Sequence, residues 1–275
     1  MTIESASPRA DSLSDLAAEI AARCGRRHLL LLCDFDGTLT PFDPDPRAVR
    51  LGDGMARVLG SLASRADCTV GVISGRRLQD VRDRITVPGA LYIAGFHGLE
   101  VHAPGETFLH PGASAAATTL REIADVLRPH LAQLPGVFIE DKDLSIALHY
   151  RTAEPAVRVV AQSALVAAAR AEIDAGRVRL LPGDCVLELL PSTRWHKGSA
   201  LEWIRDRVQR LHGPTFTVYI GDDVTDEDAF RAVGSDGVTI AASDRVTGAQ
   251  FRLDGPAAVE RLLHWLDGPE NNRRA

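Results

Sequence analysis

The sequence has few cysteines, and no two of them stand close together. Its four cysteines lie at Cys24, Cys33, Cys68 and Cys185, without a C-x-x-C pair. This spacing offers no disulfide framework, and buried single thiols are usually inert. A reduced, intracellular setting is therefore expected.

Long apolar runs and basic tracts are also missing. No stretch approaches the roughly 20 apolar residues that span a bilayer, and residues 1–10 lack a secretory pattern. The formal net charge is -6, with no tract of lysine and arginine. Nucleic acids and anionic membranes attract basic surfaces, so this composition argues against both as partners. We expect a cytoplasmic protein.

The chain does contain enough apolar sequence for a sizeable core. Of its 275 residues, 45% are hydrophobic and 25% are charged, which is typical of soluble globular proteins. This length accommodates one large domain or two ordinary ones.

Strand-like and helix-like segments alternate in the first and last parts of the chain. Apolar runs predict strands at 29–34, 68–73, 91–94, 217–220 and 238–240. Helical spacing predicts helices at 12–24, 54–65, 78–85, 198–211 and 226–233, and residues 259–265 are expected to close the fold. Such alternation is typical of an α/β fold with a parallel sheet and helices on both faces.

The middle of the chain has a different order of elements. The predicted series is a helix at 113–134 broken near Pro129, strands at 137–140 and 144–150, a helix at 156–173, and strands at 178–181 and 185–189. This order predicts an α+β domain at 108–190, inserted into an α/β core at 11–107 and 191–267. Residues 1–10 are expected to be disordered, and residues 268–275 to form a mobile tail.

The segment Asp34-Phe35-Asp36-Gly37-Thr38 directly follows the first predicted strand. Residues i and i+2 of extended backbone point to one side, so Asp34 and Asp36 are expected to share a pocket. Two carboxylates so close repel each other, which favours a cation between them or a proton on one. A hairpin turn and a calcium loop are the alternatives. The prolines that follow disfavour a hairpin partner, and Gly37 is not at the sixth position of a calcium loop.

Two further segments place polar groups where predicted strands end. Ser74-Gly75-Arg76 can bind an anion through a hydroxyl and a backbone amide, although Ser74 also suits an ordinary helix cap. The second segment, Gly221–Asp228, is dense in carboxylates. A helix start favours acidic residues and explains the last three, but it explains Asp222 and Asp223 less well.

A lysine opens the helix that follows the middle domain. Lys197 lies at a helix N-terminus, where its charge is unfavourable unless an anion lies nearby. A solvated surface lysine is the alternative. Because ligands bind beyond the carboxyl ends of strands in open α/β sheets, we expect these segments to converge. Carboxylates beside a substrate phosphate are the ligands that Mg²⁺ prefers.

These segments resemble the motifs of a known superfamily. Asp34–Thr40, Ser74–Arg76, Lys197 and Gly221–Asp223 resemble the four motifs of the haloacid dehalogenase-like phosphatases. A narrower resemblance, to the trehalose-6-phosphate phosphatases, rests on Gly95–Glu100, Glu140–Ser145, Ala147–Arg151, Glu188 and Gly221–Asp228. One position departs from that pattern, since Leu190 stands where a basic residue commonly precedes the proline.

The resemblance implies an Mg²⁺-dependent phosphatase that hydrolyses trehalose 6-phosphate through an aspartyl-phosphate. It implies a Rossmann-like core and a cap formed by the middle domain. The implied catalytic residues are Asp34 as nucleophile, Asp36 as acid and base, and Ser74 and Lys197 as ligands of the phosphoryl oxygens. The implied Mg²⁺ ligands are Asp34, the backbone carbonyl of Asp36 and Asp222, with Asp223 or Asp226 holding metal-bound water or Lys197.

The resemblance also implies a set of substrate contacts. These are Gly75, Arg76, His97, Glu140, Lys142, Arg151 and Glu188, of which the last four are in the middle domain. A solvated sheet face is the alternative for those four. Association with the synthase that makes the phosphorylated disaccharide is a further expectation.

Three other functions fit the same motifs. The first is a phosphatase for another sugar phosphate, such as a glucosylglycerol or sucrose phosphate. The second is a phosphomutase, which returns the phosphoryl group to the sugar. The third is a non-catalytic sugar-phosphate sensor, which usually has a damaged catalytic set, whereas every expected position is filled here.

Overall fold

The computed structural model describes residues 12–43, 45, 47–89 and 91–268. The expectations for residues 1–10 and for the tail beyond Gly268 lie outside these residues. Within them, the chain divides into two compact units, one formed by residues up to Phe108 and from Trp195 onward, the other by Leu109–Arg194. None of the helices in the described ranges has the length and apolar character that a membrane-spanning segment needs.

The strands and helices are numbered in chain order. The strands are β1 (His28–Cys33), β2 (Cys68–Ile73), β3 (Tyr92–Gly95), β4 (Glu100–Ala103), β5 (Glu106–Leu109), β6 (Phe138–Asp141), β7 (Ile146–His149), β8 (Val178–Gly183), β9 (Val186–Pro191), β10 (Thr215–Gly221), β11 (Val238–Ala241) and β12 (Phe251–Arg252). The helices are α1 (Leu13–Cys24), α2 (Asp53–Ala63), α3 (Leu78–Arg84), α4 (Pro111–Leu131), α5 (Pro155–Asp174), α6 (Lys197–His212), α7 (Glu227–Val233) and α8 (Gly255–Asp267).

The first unit contains a mostly parallel sheet, as predicted. Its strand order is β12-β11-β10-β1-β2-β3-β4-β5, and the strands from β12 to β3 run parallel. Strand β4 returns antiparallel beside β3. The predicted α/β class is therefore confirmed, and β1 lies near the centre of the sheet.

Strand β1 is buried at every position and apolar from Leu29 to Cys33, because both of its faces are covered. Leu29 and Leu31 pack in a core with residues of α1, α2, α3 and α8. Leu30 and Leu32 pack in a second core with residues of α6 and α7. A continuous apolar run, rather than an alternating one, is what a parallel strand buried on both faces requires.

The second unit has an α+β fold. Its sheet has the order β6-β7-β9-β8, with antiparallel neighbours. Helices α4 and α5 pack on one face with Ile146, Leu148 and Leu189. Since side chains alternate along a strand, Glu140, Ala147 and Glu188, which are in register across the sheet, lie on the other face.

The predicted break at Pro129 is wrong. Helix α4 continues through Pro129 to Leu131. A proline inside a helix removes one backbone hydrogen bond. Here it lies in the last turn, where little helix remains to be disrupted. The short strands β5 and β12 are also absent from the sequence prediction, because segments of four and two residues carry little periodicity.

The buried His28 makes the stability of the first unit dependent on pH. Its Nε2 lies 2.8 Å from Thr69 Oγ1, and its ring stacks on His212 with centroids 4.0 Å apart. Burial, with a smaller contribution from His212, lowers the pKa of His28 to about 4 from 6.5. The unfolded chain therefore takes up this proton first, and stability is lost as the pH falls from 6.5 towards 4.

We expect protonation of His28 to lower the free energy of unfolding by about 2 kcal/mol when the pH falls from 7 to 5. His28→Gln keeps a polar contact for Thr69 but does not titrate. Urea unfolding of both proteins at the two pH values measures the difference. Parallel losses of stability in wild type and variant would contradict this assignment.

Candidate active site

The polar segments that follow the strands meet at one edge of the parallel sheet. Strands β10, β1 and β2 are neighbours and parallel, so their carboxyl ends lie side by side. Asp34 follows β1, Ser74 follows β2 and Asp222 follows β10. This edge is where open α/β sheets bind ligands.

A buried lysine joins two of the aspartates. Lys197 Nζ donates to Asp34 Oδ1 at 2.6 Å and to Asp226 Oδ1 at 2.7 Å. Lys197 is only 2% exposed, and it opens α6, which is capped by the His196 ring accepting from the Ser199 amide. The two carboxylates raise the pKa of Lys197 although burial alone would lower it. The lysine is therefore a fixed positive charge beside Asp34.

Asp226 holds this arrangement together. It is fully buried, and its Oδ1 also accepts from the Tyr219 hydroxyl at 2.6 Å. Its Oδ2 accepts from the backbone amides of Asp222 and Asp223 at 3.1 and 3.0 Å. Because both oxygens are engaged twice, Asp226 orients Lys197 and the acidic loop. The Asp223 side chain caps the following turn instead.

Tyr219 was not found from the sequence. Burial and the adjacent Asp226 carboxylate raise its pKa well above the ordinary value, so it stays a hydrogen-bond donor. A tyrosine in a buried strand was the available signal, since a buried tyrosine usually finds a hydrogen-bond partner.

Asp222 lies directly against the loop that follows β1. Its Oδ1 accepts from Thr38 Oγ1 at 3.2 Å. Gly37 adopts φ +81°, and a β-carbon there would collide with the Asp222 carboxylate. Glycine is therefore required at this position by both conformation and space.

The acidic cluster fits a divalent cation. One carboxylate oxygen from each of Asp34, Asp222 and Asp226 lies within 4.8 Å of the others. Burial raises the pKa of Asp34 well above its ordinary value, with Asp226 and Asp222 adding to it and Lys197 opposing it. Burial likewise raises the pKa of Asp222 to about 6. One lysine does not balance three carboxylates, and a hard cation with oxygen ligands would.

Asp36 has a cation of its own. Arg76 binds both of its oxygens, from Nε and Nη2, at 2.6 Å each, and also donates to Asp80 at 3.1 Å. Asp34 and Asp36 thus each have a basic partner, Lys197 and Arg76 respectively. The Arg76 guanidinium therefore faces the carboxylates of Asp36 and Asp80.

Ser74 and His97 lie together at the end of β2. The buried Ser74 accepts from the Arg76 amide through Oγ at 3.1 Å, and a hydroxyl that accepts one bond can still donate its hydrogen. The His97 amide donates to the Ser74 carbonyl at 2.9 Å. A β-carbon on Gly75 would lie 2.7 Å from His97 Cε1, so the imidazole packs directly on this turn.

In the second unit, three of the four predicted sugar contacts lie close together. Glu188 Oε1 accepts from Lys142 Nζ at 3.2 Å and from Ser145 Oγ at 2.6 Å. Glu140 accepts from His149 Nε2 at 2.9 Å, and this bond, with Lys142 nearby, lowers the Glu140 pKa.

The fourth predicted sugar contact is placed elsewhere in the second unit. Arg151 pairs with Asp184 in the β8–β9 turn, at 2.9 Å, beyond the other end of β7. Leu190 is buried on the same strand as Glu188.

The fold is similar to that of a haloacid dehalogenase-like hydrolase from Bacteroides thetaiotaomicron, with a TM-score of 0.58 at 15% identity, covering 86% of this chain and 99% of that one, which shows the fold alone. A sequence model of the trehalose-phosphatase family matches residues 32–256. The chain therefore belongs to the trehalose-phosphatase family.

Curated relatives and solved structures agree with this family. The chain is 41% identical over 241 residues to a trehalose-phosphate phosphatase of Mycobacterium tuberculosis, covering 85% of this chain and 60% of that protein. The relative from Mycobacterium ulcerans is also 41% identical, over 233 residues, with 82% and 58% covered. The chain thus spans about 60% of the length of these relatives.

The fold is also similar to solved structures. The trehalose-6-phosphate phosphatase of Aspergillus fumigatus superposes with a TM-score of 0.62 at 27% identity, covering 95% of this chain and 98% of that one. The C-terminal domain of the C. albicans enzyme gives 0.77 at 24% identity, with 95% and 99% covered. At that identity the second likeness shows the fold alone.

Proposed function

We propose that this protein is a Mg²⁺-dependent phosphatase that hydrolyses trehalose 6-phosphate to trehalose and phosphate. The observation that carries the proposal is the buried Asp34, bound to Lys197 at 2.6 Å and beside Asp222, in a chain of the trehalose-phosphatase family. A carboxylate in this position can act as a nucleophile, and the fixed charge of Lys197 stabilises its ionised form.

The proposed reaction has two steps on one aspartate. An Asp34 oxygen attacks phosphorus, the bond from phosphorus to the sugar oxygen breaks, and that oxygen takes a proton from Asp36. Water, deprotonated by Asp36, then attacks the aspartyl-phosphate, and the bond from phosphorus to Asp34 breaks to release phosphate. We propose that substrate entry opens the ion pair between Asp36 and Arg76 and frees Asp36 for these proton transfers.

Fixed donors stabilise the transferred group in this proposal. Lys197 and Ser74 bind the phosphoryl oxygens and counter the charge that develops in the transition state. Asp34, the Asp36 carbonyl and Asp222 would hold Mg²⁺, which supplies charge neutralisation of the phosphoryl group when bound. Asp226 positions Lys197 and the Asp222 loop, and Asp223 stabilises the turn.

Phosphate release from trehalose 6-phosphate, with and without Mg²⁺, tests the proposal. Glucose 6-phosphate and sucrose 6-phosphate serve as comparison substrates. A preference for either of them would make that compound the proposed substrate in place of trehalose 6-phosphate. Return of the phosphoryl group to the sugar would indicate a phosphomutase. Binding without turnover would indicate a non-catalytic sensor. Association with the synthase stays a prediction, which co-purification would test. The cytoplasmic location also stays a prediction, which cell fractionation would test.

Mg²⁺ binding is expected to weaken as the pH falls below about 6. Asp222 has a pKa of about 6 and that of Asp34 is raised, so both become neutral on acidification and lose affinity for a cation. We expect Mg²⁺ to raise the melting temperature at pH 7.5 and to have little effect at pH 5. Asp222→Asn should abolish the rise, whereas Asp223→Asn, at the exposed neighbouring carboxylate, should preserve it. An equal rise at both pH values would contradict the site.

The second unit is proposed to recognise the disaccharide. Glu188 is 7% exposed and is held by Lys142 and Ser145, a preorganised acceptor for sugar hydroxyls. Glu188→Ala is expected to lower kcat/KM for trehalose 6-phosphate about 100-fold and that for p-nitrophenyl phosphate less than about threefold. Glu172→Ala, at a partly exposed carboxylate of α5 that pairs with Arg177, is the matched control. Equal losses on both substrates would argue against a role in specificity.

A further inference from the structure

Three consecutive residues after β3 have left-handed backbone. Phe96 has φ 52°, His97 φ 56° and Gly98 φ 99°. Glycine adopts this conformation readily, but side-chain-bearing residues seldom do so, and two in succession persist only when their surroundings hold them. We call these three residues the 96–98 loop.

One side of the 96–98 loop is bonded to the Ser74 turn. The Phe96 amide donates to the Arg76 carbonyl at 2.8 Å, and the His97 amide donates to the Ser74 carbonyl at 2.9 Å. With the His97 ring packed on Gly75, the loop acts as a template for the turn that presents the Ser74 hydroxyl.

The other side of the loop is bonded to the start of α6. The Gly98 carbonyl accepts from Trp195 Nε1 at 2.6 Å, and a β-carbon on Gly98 would collide with Ala200. Trp195 stands two residues before Lys197 and packs against Phe108, with ring centroids 5.1 Å apart. The indole therefore connects the segment that carries Lys197 to the loop that supports Ser74.

We propose that Trp195 is a positioning residue for phosphoryl transfer. Its N–H holds the 96–98 loop in the left-handed conformation and keeps the Ser74 hydroxyl in register with Lys197. Because the Trp195 N–H is bonded to the Gly98 carbonyl, we infer that it acts on the site through the 96–98 loop. This inference rests on the proposed function, because Ser74 and Lys197 matter together only if both bind one phosphoryl group.

An indole is suited to this task because its nitrogen is only a donor. Trp195→Phe keeps an aromatic ring against Phe108 and removes the donor. Trp203→Phe is the matched control, since Trp203 packs on the same Phe108 ring, with centroids 5.2 Å apart, and lies within α6. Both variants are compared with wild type by thermal unfolding before kinetics.

We expect Trp195→Phe to lower kcat about tenfold on both trehalose 6-phosphate and p-nitrophenyl phosphate, because displaced catalytic groups lose rate even when binding is kept. KM is expected to change less than about twofold, since sugar contacts are untouched. Trp203→Phe should stay within about twofold of wild type in kcat. A Trp195→Phe kcat within twofold of wild type, or an equal loss in Trp203→Phe, would overturn the proposal.

A spectroscopic measurement tests the same idea without turnover. The sequence has three tryptophans, Trp195, Trp203 and Trp265, so the wild-type protein has three indole N–H resonances, and the two variants assign them. With Mg²⁺ present, added inorganic phosphate should shift the Trp195 resonance and leave the other two in place. An unmoved Trp195 resonance in a protein that binds phosphate would contradict the inference.

The two readouts separate this inference from the proposed function. Wild type that turns over p-nitrophenyl phosphate but not trehalose 6-phosphate would reject the proposed substrate, and Trp195 would still be tested on the aryl ester. A fully active Trp195→Phe would reject the positioning role and leave the proposed function standing.

Discussion

Asp34→Asn is expected to reduce phosphate release by at least about 10⁴-fold while the protein stays folded. The amide has nearly the shape of the carboxylate but cannot attack phosphorus. Residual turnover within about tenfold of wild type would show that another residue is the nucleophile.

The folded state should tolerate this change, and the reason is the environment of Asp34. Burial raises its pKa well above the ordinary value, so the ionised form is disfavoured in the folded protein relative to the unfolded chain. A neutral amide therefore removes an unfavourable charge, while Lys197 keeps its contact with Asp226 at 2.7 Å. We expect an unchanged or raised melting temperature in the absence of Mg²⁺. A large loss of stability would contradict this view of the cluster.

Mass spectrometry gives a direct view of the same step. Acid quenching of the wild-type reaction should trap a phosphoryl adduct on Asp34, and Asp34→Asn should show none. Beryllofluoride offers a second way to trap the site in its phosphoryl-like state. An adduct on a different residue would move the nucleophile assignment to that residue.

Lys197→Met is expected to lower kcat on the order of 10³-fold and to destabilise the protein. Without the ammonium, Asp34, Asp222 and Asp226 are left in a buried cluster with no cation. Breaking a buried ion pair in this way typically costs about 3–5 kcal/mol. A kcat within tenfold of wild type would show that Lys197 has only a structural role.

The pH dependence of this loss has a definite sign. The pKa of Lys197 is raised, so its stabilising contribution is fully present throughout the neutral range. Any variation between pH 8 and pH 5 therefore comes from the carboxyl groups, whose pKa values are raised and which become neutral on acidification. The destabilisation by Lys197→Met should shrink at pH 5, as measured by urea unfolding without Mg²⁺.

The chain provides its own control for this experiment. Lys142 and Lys197 are the only lysines in the sequence, and each is bound to carboxylates. Lys142→Met should disturb Glu188 and trehalose 6-phosphate turnover, yet leave p-nitrophenyl phosphate turnover near wild type. Lys197→Arg should not restore activity, because a planar guanidinium does not replace a compact charge between two carboxylates.

Much of the fold followed from local patterns. The apolar run before Asp34 and the run Cys68–Ile73 predict buried strands, and both are strands in the structure. Helical spacing predicted α1, α2 and α6 to within a residue or two. The predictions missed the strands β5 and β12, which are too short to carry a clear periodicity. The predicted break at Pro129 was wrong because this proline lies in the last turn of α4.

The residues of the site could be predicted from the sequence, but their hydrogen-bond and ion-pair partners could not. Aspartates after β1 and β10 and a lysine opening α6 stand out because each is costly in isolation. The sequence does not reveal that Arg76 binds Asp36 or that Tyr219 binds Asp226. Arg76 and Asp36 are 40 residues apart and meet because they follow the neighbouring strands β2 and β1. Tyr219 and Asp226 are 7 residues apart and meet because of the conformation of the segment that follows β10.

The sequence by itself determined which chemistry the chain can carry, because residue types and their positions after apolar strands follow from covalent order and backbone periodicity. Only the tertiary structure decided which carboxylate each cation binds, which aspartate is already saturated by donors, and which indole supports the loop behind Ser74. Those outcomes depend on distances of a few ångströms between segments far apart in the chain, and no local pattern encodes them.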